Sequence, residues 1–142
     1  MNTMIKACCI LFILGSISPI LHAQSQSCAI SNVTTQHLVL RPQQHNSSNV
    51  AFSIQCAHHY SITFSNANHA SSEGIGHLRH HQNNIRTKMS ARSDQMLPWA
   101  VPVQQNAHQQ HNYVITASVL DPITAITPAG VYRDRIQLRI EF

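Results

Sequence analysis

The chain has 142 residues, a formal net charge of +4 and only 10 % charged residues, with 43 % hydrophobic residues and four cysteines. So mild and scattered a positive surplus gives no clustered basic face of the kind nucleic-acid binding needs. Five acidic residues in all leave little material for paired catalytic carboxylates.

Residues 1–23 have the layout of a secretory signal peptide: Lys6, an apolar run from Ala7 through Leu14 to Ile17, and Leu21-His22-Ala23 before Gln24. Gly15, Ser16, Ser18 and Pro19 break the run before the ~20 apolar residues of a membrane span. A cut after Ser18 would put Pro19 just past the scissile bond, so cleavage is expected after Ala23. The mature domain then covers 24–142, the size of one domain, with no stable membrane insertion. Cys8 and Cys9 go with the leader. Cys28 and Cys56 remain, and export into an oxidising compartment makes them a structural disulfide. A zinc or redox role is a weaker reading, since the pair is not Cys-x-x-Cys and no third cysteine survives.

Beyond Cys28 the hydrophobic period is two. Cys28–Val33 and His37–Leu40 are short strand candidates, and a polar turn region runs from Arg41-Pro42 to Asn49. Val50, Phe52, Ile54 and Cys56 alternate with Ala51, Ser53 and Gln55; after Ala57-His58-His59, Tyr60, Ile62 and Phe64 alternate with Ser61 and Thr63. From Asn66 to Gln110, polar stretches surround Ile85, Met89, Met96, Leu97 and Trp99, and strand boundaries are hard to place. Tyr113–Leu120 reads as a strand, Asp121-Pro122 as a turn, and Ile123–Ile126 returns to β character before Pro128-Ala-Gly130. The last strand puts Ile136, Leu138, Ile140 and Phe142 on one face and Arg135, Gln137, Arg139 and Glu141 on the other. Several short strands without a convincing amphipathic helix predict an all-β sandwich. The printed sequence stops after this apolar strand, so the element that covers it is expected from another polypeptide.

The two cysteines flanking the first strands and the ending Thr127-Pro-Ala-Gly-Val-Tyr-Arg-Asp-Arg-Ile-Gln-Leu-Arg-Ile-Glu-Phe142 resemble the spore coat protein U domain family, which includes subunits of archaic chaperone–usher pili. The chain departs from the family pattern at Thr35-Gln36-His37-Leu38, where a Phe-Gly pair is usual, and at Met96-Leu-Pro-Trp99, where a Leu-Tyr segment is usual. The resemblance implies an incomplete immunoglobulin-like sandwich lacking its final strand. It also implies periplasmic chaperone, outer-membrane usher and neighbouring pilus subunits as partners, and a destination at the cell surface. Ile136, Leu138, Ile140 and Phe142 would form one wall of a donor-strand groove, with the strand around Leu38 and Leu40 as a candidate second wall. A donor strand needs about 8 to 12 residues with alternating apolar side chains. Only the polar Gln24-Ser25-Gln26-Ser27 would precede Cys28, which suits a tip or terminal subunit.

Eleven histidines, all but His22 in the mature chain, are densest at His58-His59 and His77-Leu-Arg-His80-His81. His77 and His80 fall on opposite faces of an extended chain, and adjacent pairs diverge, so solvated surface histidines are expected rather than a metal site. No Gly-x-Ser-x-Gly elbow, His-Glu-x-x-His or glycine-rich phosphate loop is present, and no catalytic residue or cofactor is expected. Asp134 reads as a turn or strand-start contact rather than a catalyst. Two readings stay open: an adhesive, non-enzymatic pilus subunit, and a self-contained secreted or periplasmic binding domain, perhaps metal-linked, that closes its edge by dimerising or with its own middle region.

Overall fold

The computed structural model describes residues 27–68 and 71–142. The leader expected over 1–23 and the residues 24–26 after it lie outside the described residues. Among the described residues nine strands form two antiparallel sheets: β1 (Cys28–Ser31), β2 (Ser47–Cys56), β3 (Tyr60–Asn66), β4 (Ile75–His80), β5 (Asn83–Arg92), β6 (Met96–Leu97), β7 (Val103–Gln105), β8 (Gln110–Val119) and β9 (Ile136–Glu141). The larger sheet has the order β1-β2-β8-β5-β4, with β6 also on β5; the smaller is β7-β3-β9. In immunoglobulin terms β1-β2-β8-β5 matches strands A-B-E-D, and β3-β9 matches C-F. Among the described residues no strand lies outside β9, the place of strand G. The fold is therefore an incomplete immunoglobulin-like β-sandwich with one disulfide, Cys28–Cys56.

Alternation explains why these segments pair where they do. Phe52, Ile54 and Cys56 of β2, Tyr60, Ile62 and Phe64 of β3, and Tyr113, Ile115, Ala117 and Val119 of β8 turn inward and are buried. Phe64 of the smaller sheet bridges to the larger one, tilted against Tyr113 at 5.7 Å and Phe52 at 6.4 Å between centroids; Phe52 stacks on its β8 partner Tyr113 at 5.6 Å, and Trp99 stacks on Phe64 at 6.2 Å. The Tyr60 and Tyr113 hydroxyls meet at 3.2 Å inside the core. Burial raises the pKa of both phenols, so they stay un-ionised and each hydroxyl keeps a partner.

Four expectations need correction. The first strand ends at Ser31 rather than Val33, because Asn32 takes a left-handed conformation (φ 54°) and its amide donates to Ser53 Oγ at 3.1 Å. The polar turn is shorter than expected, since Ser47–Asn49 already pair with Thr116–Ser118. Ile123–Ile126 is not a strand: Thr127 N bonds Thr124 O, Thr127 Oγ1 accepts from Thr124 N, and the resulting turn leaves Ile126 91 % exposed. His37–Leu40 keeps the alternation of a strand, with Leu38 and Leu40 half-buried and Val39 exposed, but joins no ladder.

The poorly legible middle folds into the β4–β5 hairpin and joins the larger sheet. Ile85, Thr87, Met89 and Ala91 point inward from β5. The two-residue turn His81-Gln82 closes the hairpin with His81 at φ 53°.

Candidate functional site

The region of interest is built around the start of β9. β9 pairs along its whole length with β3, Ile136 opposite Asn66, Leu138 opposite Phe64 and Ile140 opposite Ile62. Its other side has no neighbour among the described residues. A free edge of this kind presents a row of unpaired backbone N–H and C=O groups to any strand that approaches.

Residues 132–135 are held rigidly before that edge begins. The Tyr132 hydroxyl donates to the carbonyl of Pro128 at 2.9 Å, which closes a tight corner of the kind found before strand F of immunoglobulin domains. Gly130 leaves room for the His80 imidazole, whose ring lies 5.4 Å from that of Tyr132; a Cβ on residue 130 would collide with the His80 ring. Arg133 and Arg79 exchange both backbone hydrogen bonds at 2.9 Å, so the chain touches β4 of the larger sheet before crossing to the smaller one. The Asp134 carboxylate accepts from Asn66 Nδ2 at 2.6 Å, from the Asn68 amide at 3.0 Å and from the Arg135 amide at 2.7 Å. Asn66 in turn accepts from Trp99 Nε1 at 3.1 Å. Asp134 is thus a strand-start contact that fixes where β9 begins.

Next to this corner lies a cavity of about 720 Å³, polar at its rim and apolar at its floor. Leu38 and Leu40 form one wall and Ile136, with residues 132–135, the other. Val50, Leu78, Met89, Ile115 and Ala117 of the larger sheet make its floor. Among the described residues, the backbone of Leu38, Val39 and Leu40 makes no hydrogen bond. Two extended walls with unspent backbone groups therefore face each other across an apolar floor. Ile136, Leu138 and Ile140 pack half-buried against the core, as do Leu38, Leu40 and Val50.

The four C-terminal candidate residues are not equivalent. Ile136 lines the cavity, whereas Leu138 and Ile140 continue the same face along β9 over Phe64 and Ile62. Phe142 lies beyond the end of β9 and is 51 % exposed. The floor residues Leu78, Met89, Ile115 and Ala117 were missed as site residues. The inward alternation of Tyr113, Ile115 and Ala117 was a usable signal for two of them; β4 and β5 carried a much weaker one.

Among the described residues no three His, Cys, Asp or Glu side chains converge as metal ligands. His80 and His81 lie 4.4 Å apart between ring centroids, but His80 packs against Tyr132 and Gly130. The Cys28–Cys56 bond crosses the β1–β2 ladder, where the two residues are direct register partners.

No protein-family model matches the chain, and no curated protein matches it. Solved structures do. A chain of the CsuC–CsuE chaperone–tip adhesion subunit pre-assembly complex, from archaic chaperone–usher Csu pili of Acinetobacter baumannii, aligns at TM-score 0.52 and 19 % identity over 82 % of this chain and 39 % of that one. A chain of a chaperone–tip adhesin complex of CFA/I fimbriae biogenesis aligns at TM-score 0.51 and 15 % identity over 80 % of this chain and 41 % of that one. The chain thus spans about two fifths of the length of each solved chain it resembles. At these identities the likeness establishes the fold alone, an immunoglobulin-like sandwich of the kind found in pilus chaperone–adhesin complexes.

Proposed function

We propose that this protein is a structural, adhesive subunit of a chaperone–usher type pilus, completed by a β-strand that another polypeptide lays between β9 and residues 38–40. The observation that carries the reading is the pair of unladdered walls over one cavity with an apolar floor: the free edge of β9 and the unbonded Leu38–Leu40 backbone. A strand entering there would hydrogen-bond to both walls and drop alternate apolar side chains onto Val50, Met89 and Ile115. Each large apolar side chain buried in this way contributes about 1.5–3 kcal/mol. Three such plugs would supply a substantial part of the stability of a domain this size.

The partners that follow are a periplasmic chaperone lending the strand, an outer-membrane usher and the neighbouring subunit that replaces it. The route is export through the periplasm to the cell surface. Both solved complexes named above contain a chaperone with a tip adhesin or adhesion subunit; the proposal extends that relation to this chain. Membership of the spore coat protein U domain family is part of the same reading. Its support is that the Pro-Ala-Gly-x-Tyr-x-Asp ending makes specific contacts: Tyr132 closes the corner on Pro128, Gly130 admits His80, and Asp134 seats β9 on Asn66.

Periplasmic expression tests the assignment. Alone, the protein should aggregate or be degraded; with its cognate chaperone it should accumulate as a soluble one-to-one complex. Stable accumulation of the lone monomer would instead favour a self-contained secreted domain.

A further inference from the structure

Four arginines, Arg41, Arg133, Arg135 and Arg139, stand around the open edge against two carboxylates, Asp134 and Glu141. On β9 and the residue before it the outward face reads Arg135, Gln137, Arg139 and Glu141, all exposed. Arg133 and Arg135 flank the cavity mouth, and the exposed Arg41 directly follows Leu40 on the opposite wall. Of the two carboxylates nearby, Asp134 is held by Asn66 and Asn68, and Glu141 is 2.6 Å from Arg139. Arg133 and Arg135 have no carboxylate within ion-pair distance among the described residues.

Resting on the strand-acceptor reading, we infer that the cavity between Leu38–Leu40 and β9 selects a strand with alternate apolar residues facing in and acidic residues facing out opposite Arg135 and Arg139. Side chains directly across a strand pair sit close enough to interact, and like charges there are unfavourable. The apolar face supplies affinity common to any alternating strand, while the arginine row discriminates between strands by the sign of their outer face. An acidic outer face also raises the encounter rate by steering, an effect that salt removes.

Three synthetic strands of about 10 residues with identical inward Val, Ile and Leu residues and outward Glu, Gln or Lys residues test this on the full mature chain, refolded from denaturant with each peptide. The Glu strand should bind on the order of tenfold more tightly than the Lys strand at low ionic strength, with Gln between them and the spread collapsing in concentrated salt. The exposed double variant Arg135→Glu, Arg139→Glu should reverse the order. Equal binding of all three peptides overturns the charge selectivity and leaves strand addition standing. Binding of none overturns strand addition itself. Decanoate stabilising the chain as much as the Glu strand would assign the cavity to an amphipathic carboxylic acid and overturn the inference.

Discussion

Asn66 is the residue through which the start of β9 is tied to the rest of the sandwich, and Asn66→Ala measures that tie. The side chain is 9 % exposed; its amide donates to Asp134 Oδ2 at 2.6 Å and its carbonyl accepts from Trp99 Nε1 at 3.1 Å. A hydrogen bond to a charged group contributes about 1.5–3 kcal/mol, and a buried donor left without a partner costs about 1–3 kcal/mol. Trp99 is 2 % exposed, so its indole N–H has little access to replacement water. Asp134 retains the two backbone amides of Asn68 and Arg135, which limits the loss on that side. The sum is about 3 kcal/mol, equivalent to a fall in Tm on the order of 12 °C for a domain a little over 100 residues long. Trp99 is the sole tryptophan, so fluorescence-monitored melting of the strand-complemented protein reads the site directly. The emission should also shift as the indole loses its partner. A Tm within about 2 °C of the parent, well under the smallest of these contributions, would refute the idea that this relay anchors β9.

Other perturbations separate the fold from its open edge. Reduction, or Cys28→Ser with Cys56→Ser, opens a link spanning a sequence separation of 28 and should lower stability by about 3.5 kcal/mol in denaturant titration. Leu38→Asp puts a carboxylate on the cavity wall and should weaken uptake of a donor strand on the order of 100-fold in direct binding assays, while the disulfide and the Trp99 environment stay unchanged. Burial pushes the Asp121 carboxyl up, but the Arg86 backbone amide at 2.7 Å and guanidinium at 2.8 Å outweigh it and hold its pKa below the ordinary 3.8. The contribution is therefore present above the unfolded value and disappears as the pH falls through the lower folded one. Asp121→Asn should flatten stability only on the acid side of about pH 4, and slightly, because both side chains remain open to water.

The β2, β3, β8 and β9 ladders were legible because large apolar residues recur at every second position, as in Phe52-x-Ile54-x-Cys56 and Ile136-x-Leu138-x-Ile140. The β4–β5 hairpin was not. Its inward residues are Gly76 and Leu78 on one strand and Ile85, Thr87, Met89 and Ala91 on the other, where Gly76, Thr87 and Ala91 interrupt the apolar alternation. Gly76 is there because a Cβ would strike the Asn66 amide, a reason that belongs to tertiary packing. Its turn uses His81 at positive φ rather than the Asn-Gly or Asp-Gly that marks such hairpins. Ile123–Ile126 failed the opposite way, with β-branched composition in a turn fixed by Thr124 and Thr127. At the site, Ile136 was legible from alternation and Leu38 and Leu40 entered as a wall through the family resemblance, but the floor they share could be seen only once the sheets had stacked.

Amide hydrogen exchange on the isolated mature chain and on its complex with a donor strand tests the vacancy beside β9 most directly. Residues 38–40 and alternate amides of Ile136–Glu141, those not bonded to β3, should exchange rapidly in the isolated protein and gain strong protection in the complex. Full protection of both segments in the isolated monomer would contradict the account, because the sandwich would then already be closed by its own backbone.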